Sequence, residues 1–250
     1  MSHKEAVIYD IECTTWSGTR ERCWSERNEY REIIRIGAIS VDLDSLQEIE
    51  ALDIFVKPSV NPILSDYCVK LTDITDDQIQ AEGMELHEAI HTFGDFVEKR
   101  NVFSYGSDIV TILENLGLNN IPFNARTLQS NRPIVINEYH QTGSCLESNA
   151  VEVILYGSAF ENTIGRISEG VRVEINLHGS CVPLTHTDLR PWFLANAPEM
   201  QEKVSGEIAK ALGVSELKGN IHNPLFDVRS IHMGLRELVL SRHIENPFKQ

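Results

Sequence analysis

The opening 57 residues constrain this chain most, because residues 6–12, 33–43 and 49–57 form three runs rich in isoleucine and valine, separated by polar or turn-forming segments. Such runs read as successive strands, and their lengths suit an antiparallel meander. The first ends on Asp10-Ile11-Glu12. Side chains alternate along a strand, so the two-residue spacing sets both carboxylates on one face. Two unpaired acids on an otherwise apolar face are costly to bury, and a cation would remove that cost. Alone, the pair is a weak signal, since acids at strand ends are commonly solvated.

Further on, Leu86, Ile90, Phe93 and Val97 recur at helical spacing within residues 84–100, and residues 101–105 read as a short strand. A second helix is expected to open near Ser107, with Val110, Leu113 and Leu116 on one face and Gly117 as its stop. Asp108 then stands at a strand-to-helix junction, just after Gly106 allows a tight turn. Taken singly it is an ordinary helix-start acid facing the helix dipole. Residues 119–183 differ in character: β-like runs at 133–136, 151–156 and 171–177 alternate with Gly, Ser and Asn. They read as a β-rich insertion. Helical patterns return over 187–195, 199–212 and about 225–242. The last is preceded by His222-Asn223-Pro224-Leu225-Phe226-Asp227, where proline costs little because the N–H it lacks would be unpaired at a helix start anyway. His222 and Asp227 should therefore project from one helix start.

A chain of 250 residues, 42% of them hydrophobic, can bury one substantial core, so residues 1–250 read as a single domain with 119–183 as an inserted subdomain. The formal net charge of −15 argues against long, non-specific tracking along nucleic acid, which draws on a basic surface. It does not exclude work on a short chain end, since two divalent cations neutralise about four negative charges where phosphate approaches. Cys13, Cys23, Cys68, Cys145 and Cys181 are scattered, with no C-x-x-C pair, as expected of a reduced cytoplasmic protein. A polar N-terminus and the lack of a long apolar stretch give the expectation of a soluble protein without a membrane span. Residues 16–31 interleave Arg20, Arg22, Arg27 and Arg31 with Trp16, Trp24 and Tyr30. Such a stretch can stack and pair with single-stranded nucleic acid, or form a solvated loop whose acids balance its arginines. Both readings stand open.

D-x-E, then a lone aspartate after a strand, then H-x-x-x-x-D at the head of the closing helix resembles the three motifs of the DEDDh 3′→5′ exonucleases, a DnaQ-like family with an RNase H-like fold. Residues 10–14, 32–37 and 55–58 look like that family's first strands. Residues 64–78, with Leu71-Thr72-Asp73-Ile74-Thr75, are similar to the branch acting in enhanced RNAi and on histone mRNA 3′ ends. The resemblance covers residues 6–119 and about 187–240. Arg35 stands where many relatives have an acid, Asp73 where glycine is usual, and the span from Asp108 to His222 is unusually long.

The resemblance implies an α/β fold, a mixed sheet flanked by helices. Asp10, Glu12, Asp108 and Asp227 would hold two Mg²⁺ or Mn²⁺ ions ~4 Å apart, and His222 would be the general base. It further implies hydrolysis of RNA or short single-stranded nucleic acid from the 3′ end, releasing nucleoside 5′-monophosphates. The backbone at Cys13 and Thr14 would lie beside the terminal sugar and Leu71 near the last base, although Leu71 as a plain core residue is an equal alternative. Single-stranded RNA or DNA 3′ ends are the expected partners. Competing readings are a DNA exonuclease of proofreading type and a non-catalytic nucleic-acid-binding module. The insertion could form a homodimer, cover the substrate groove or bind a partner, and its sequence does not choose. His186 and the remaining histidines lack a motif partner and receive no role.

Overall fold

The three opening runs form β1 (Glu5–Cys13), β2 (Ile33–Asp42) and β3 (Glu48–Phe55), paired antiparallel as a meander in the computed structural model. The structure describes residues 4–22, 24, 26–106, 108–128, 133–137, 152–155, 170–177, 180–214 and 217–249. After the meander come three helices, α1 (Asp66–Thr72), α2 (Asp76–Glu82) and α3 (Leu86–Val97). Strand β4 (Asn101–Ser104) then runs parallel to β1 and leads into α4 (Asp108–Leu118). Asp73, the residue that replaces a customary glycine, ends α1 at φ 61°. That left-handed conformation suits glycine best, and a short polar side chain tolerates it.

The β-rich segment contributes β5 (Phe123–Thr127), β6 (Pro133–Asn137), β7 (Glu152–Leu155), β8 (Val171–Leu177) and β9 (Ser180–Asp188). Of the expected strand over 151–156, residues 151 and 156 lie outside those described. All nine strands among the described residues join one sheet, in the order β3-β2-β1-β4-β9-β8-β5-β6-β7. β9 pairs parallel with β4, and β8 pairs antiparallel with β9. The segment thus extends the first sheet. In β8 the residues Val171, Val173, Ile175 and Leu177 are buried while Arg172, Glu174 and Asn176 are exposed, the alternation of a half-covered antiparallel strand.

Beyond β9 lie α5 (Arg190–Asn196), a single turn α6 (Ile208–Ala211) and α7 (Pro224–Arg236), which continues as a π-helical turn over Glu237–Ser241. Three expectations are corrected here. Thr187 and Asp188 belong to β9, because their backbones pair with Phe103 and Ser104 of β4. The helix expected over 199–212 is broken into 3₁₀ turns at Pro198–Met200 and Ser205–Glu207 before α6, which lets Gly206 pass close beneath Asp227. Gly117 lies within α4, which runs on to Leu118.

The sheet is covered on both faces over β1. Val7, Tyr9 and Ile11 pack with Ala89, Ile90, Phe93 and Leu113 from α3 and α4. Ala6 and Ile8 pack on the other face with Phe193, Val228, Ile231 and Leu235 from α5 and α7. Because side chains alternate, Asp10 and Glu12 fall on the same face as Ala6 and Ile8, toward α7. That choice of face brings the closing helix to the acids.

The approach of α7 to the sheet depends on Gly37, paired with Asp10 across β1 and β2. A Cβ there would stand 2.5 Å from the Leu225 nitrogen and 2.6 Å from the Pro224 carbonyl carbon, and neither backbone atom can yield without moving the helix. Gly37→Ala is expected to cost about 1–3 kcal/mol by overpacking, read as a lower denaturation midpoint. A wild-type midpoint would show that α7 is free to shift.

Candidate active site

Three of the sequence-predicted side chains meet closely: ligand atoms of Glu12, His222 and Asp227 all lie within 4.8 Å of one another. Nδ1 of His222 is 3.6 Å from Oε1 of Glu12. The local fold explains the meeting. Asn223 caps α7 by accepting from the Phe226 N–H at 3.2 Å, Pro224 occupies the first turn, and Asp227 follows with its carboxyl facing the sheet. His222 adopts φ 69°, and this turn aims its backbone N–H at Asp227 Oδ2, 3.3 Å away.

Asp10 lies on the same face, where it feels the negative charges of Asp108, Asp227 and Glu12. Burial and those charges raise its pKa well above the ordinary value. Asp108 opens α4 immediately after β4 and interacts with the charges of Asp188, Arg31 and Glu12. Burial pushes its pKa up to about 7, and burial does the same for Asp227, also to about 7. Glu12 is raised as well, burial outweighing the opposing effect of His222. His222 in turn is raised, chiefly by its contact with Glu12. All five residues implied by the motifs therefore sit at one end of the sheet.

This donor set fits hard divalent cations. Carboxylate oxygens suit Mg²⁺ or Mn²⁺, and a bound cation would offset the burial and mutual repulsion that raise these acids' pKa values. Two oxygens, Asp108 Oδ2 and Asp227 Oδ1, are buried with no hydrogen-bond partner among the described residues. Buried polar atoms normally find one.

Cys13 and Thr14 follow at a register shift between Glu12 and Cys13. Their carbonyl oxygens are already engaged, Cys13 by the Cys68 thiol at 3.6 Å and Thr14 by the Trp24 indole N–H at 3.1 Å. Leu71 is half-buried in α1 and belongs to none of the buried apolar clusters, so its reading as plain core does not hold. The arginine-rich loop is tied down: Arg22 pairs with Glu29, Arg31 stacks over Trp24 at 5.3 Å, and Arg31 bonds Glu114 of α4 at 2.6 Å. Arg35 forks onto Asp53 at 2.8 and 2.7 Å, and from its place opposite Glu12 across β1 and β2 its charge also favours the Glu12 carboxylate.

Sequence reasoning missed two residues. Ser205 donates to Asp227 Oδ2 at 3.1 Å from a 3₁₀ turn that no periodicity announces. Asp188, at the end of β9, accepts from the N–H groups of Gly106 and Arg190 at 2.8 and 2.7 Å, and burial raises its pKa to about 6. The one clue was an aspartate just ahead of an Arg-Pro helix start.

An RNase H-like α/β sheet with acids gathered from its first strand and two helices is the architecture of a nuclease domain. The family model described as Exonuclease, RNase_T, matches residues 7–145, and the chain belongs to that exonuclease family. The match stops before His222 and Asp227, which only the fold returns to the acids. The curated exoribonuclease "ERI1 exoribonuclease 2" of Xenopus laevis is 28% identical over 94 residues, 37% of this chain but only 12% of that protein's length. Among solved structures, a 3′-exonuclease recognising the histone mRNA stem-loop matches with TM-score 0.62 at 15% identity, covering 96% of this chain and 84% of that one. The nuclease domain of 3′hExo, a DEDDh family member bound to rAMP, matches with TM-score 0.58 at 14% identity, covering 96% and 94%. The family match bears out the resemblance to an exonuclease domain, and the likeness to these 3′-exonuclease structures is one of fold. Among the described residues no helix is long and apolar enough to cross a membrane.

A carboxyl whose pKa is higher in the fold than in the unfolded chain stabilises the fold while protonated, and that stability is lost as pH rises from about 4 through the folded value. Asp188 near 6 and Asp108 and Asp227 near 7 all act in this sense. His186 and His232, kept neutral by burial, act oppositely below pH ~6.5. Without divalent cations the unfolding temperature should therefore fall between about pH 6.5 and 8, and Mg²⁺ or Mn²⁺ should restore it at pH 8. A curve that is flat and indifferent to cations would count against the acids acting as one cluster.

Proposed function

We propose that the protein is a metal-dependent 3′→5′ exonuclease that shortens RNA or short single-stranded ends to nucleoside 5′-monophosphates. The observation that carries this reading is the convergence of Asp10, Glu12, Asp108 and Asp227 with His222 at one end of the sheet. Two of their buried oxygens lack any partner among the described residues. The four carboxylates would hold two Mg²⁺ or Mn²⁺ ions. Such ions, when bound, neutralise charge at the phosphodiester and make water a better nucleophile.

The chain's own groups do the rest. Asp10 faces Asp108, Asp227 and Glu12 and so stands at the centre of the charge cluster. His222 is half-buried, and Glu12 makes its imidazole a better proton acceptor, which suits a general base taking the proton of an attacking water. Ser205 and the His222 N–H hold Asp227 Oδ2, fixing the head of α7 against β1. The backbone at Cys13 and Thr14, with Leu71 on the adjacent helix, is our choice for the terminal nucleotide's sugar and base. Residues 119–183 are taken as an insertion within one exonuclease domain.

RNA is favoured over DNA by the likeness to an exoribonuclease and to a histone-mRNA 3′-exonuclease. The charge of −15 favours short ends over long tracking. The test is incubation of 5′-labelled and 3′-labelled RNA and DNA oligomers with Mg²⁺, Mn²⁺ or chelator. Metal-dependent shortening from the 3′ end is expected, with His222→Ala slower by ~10²-fold to 10⁴-fold and Asp10→Asn inactive. Strong preference for DNA would overturn the RNA assignment. Firm RNA binding without shortening would overturn catalysis, and full single-turnover rate in His222→Ala would remove the base.

A further inference from the structure

Behind Asp108 the core holds polar groups that the mechanism above does not use. Ser104, the last residue of β4, is fully buried, and its Oγ lies 3.1 Å from Nε2 of His186 on the neighbouring strand β9. The carbonyl oxygen of Gly106 is 3.3 Å from the same Oγ. His186 is itself 1% exposed and meets the ring of Tyr9 edge-on, with centroids 5.8 Å apart. Parallel pairing of β4 and β9 sets His186 beside Val102, two residues before Ser104, and so on the same face. Of the five buried side-chain atoms without a hydrogen-bond partner among the described residues, three belong to neighbours of this serine: Tyr9 Oη, His186 Nδ1 and Asp108 Oδ2. The Ser104 hydroxyl lies near enough to Tyr9 and Asp108 to favour the ionised form of each, with no hydrogen bond to Tyr9 Oη or Asp108 Oδ2 in the present geometry.

Proton placement follows from these contacts. Burial pushes the His186 pKa down to about 3, so the ring is neutral, with one N–H and one lone pair. Nδ1 has no partner, and a buried N–H without an acceptor is rarer than an idle acceptor. The proton therefore belongs on Nε2, which donates to Ser104 Oγ. With a lone pair so occupied, the serine's own proton is free to point outward. The acceptors near it are the Gly106 carbonyl, at a long 3.3 Å, the Tyr9 phenol oxygen and the Asp108 carboxylate, of which the carboxylate is the strongest. A hydroxyl donating to a carboxylate favours its ionised form and fixes its orientation.

We propose that Ser104 and His186 are positioning residues for Asp108: His186 donates from Nε2 to Ser104, and this turns the Ser104 hydroxyl toward the Asp108 carboxylate and holds it ready to ligate a cation. The proposal rests on the reading of Asp108 as a metal ligand. It gives a role to a buried histidine and a buried serine that touch neither substrate nor metal. Partners behind a ligand of this kind typically change metal affinity by about 10-fold to 100-fold.

The test is Mn²⁺ titration of the full chain, followed by the electron paramagnetic resonance of free Mn²⁺, beside thermal unfolding of the metal-free protein. Ser104→Ala and His186→Leu should each weaken Mn²⁺ binding by about 10-fold to 100-fold. Ser104→Thr, which keeps a hydroxyl, and His186→Gln, which keeps a donor N–H, should recover most of it. A role in packing alone would lower the unfolding temperature and leave Mn²⁺ affinity at the wild-type value, and that result overturns the proposal while the nuclease reading stands. Ser104→Ala decides the matter if His186→Leu does not fold. Failure of the unaltered protein to bind Mn²⁺ would instead sink the metal reading of the carboxylates, and this proposal with it.

Discussion

Mutual repulsion of buried carboxylates at one end of the sheet is the constraint to which the rest of the molecule is fitted. Asp10, Glu12 and Asp227 are each less than a tenth exposed, and all have pKa values raised by burial. Acids so placed oppose folding at neutral pH unless positive charge arrives. A chain of net charge −15 supplies little of it from its own side chains, and Arg31, the cation that bears on Asp108, is already bonded to Glu114. The acids persist because their surroundings are over-determined: β1 is buried on both faces, and α7 lies so near β2 that only glycine fits at position 37.

The elements that carry the acids are fastened to one another by groups of modest individual strength. Asn115 of α4 accepts from the Ile33 N–H and donates to the Arg31 carbonyl, tying the Asp108 helix to the start of β2. Asp188 ties the end of β9 to the turn before Asp108 through the Gly106 N–H. Ser205 ties a 3₁₀ turn to Asp227. Each contact is a hydrogen bond of about 1 kcal/mol net in ordinary surroundings. Together they set three separate elements in register around one site, the support a polar constellation needs to keep its geometry.

Much of this was legible in the residues themselves. The meander, α3, β4 and the opening of α4 follow from local periodicity, because a strand or helix with one dry face writes its period into the sequence. Asp10 and Glu12 were legible as a same-face pair for the same reason, and His222 with Asp227 because proline and asparagine mark a helix start. Thr187 and Asp188 were misread as helical since their state is set by pairing with β4, some 80 residues earlier. Segment 199–212 was misread because Met200, Ile208 and Leu212 reach one shared apolar cluster from broken turns, a non-local requirement that overrides helical spacing.

Taken alone, the sequence determined which motifs carry ligand-type side chains and where the strongly periodic strands and helices lie, since both are properties of side-chain type and local spacing. Tertiary structure decided that acids from β1, α4 and α7 share one end of the sheet, and that the β-rich segment widens that sheet. It also decided that Ser104, Asp188, His186 and Ser205 stand around the acids. The reason is physical: hydrogen bonds and charge interactions act across a few ångströms of space, and separation along the chain carries no record of which distant segments will be brought within that reach.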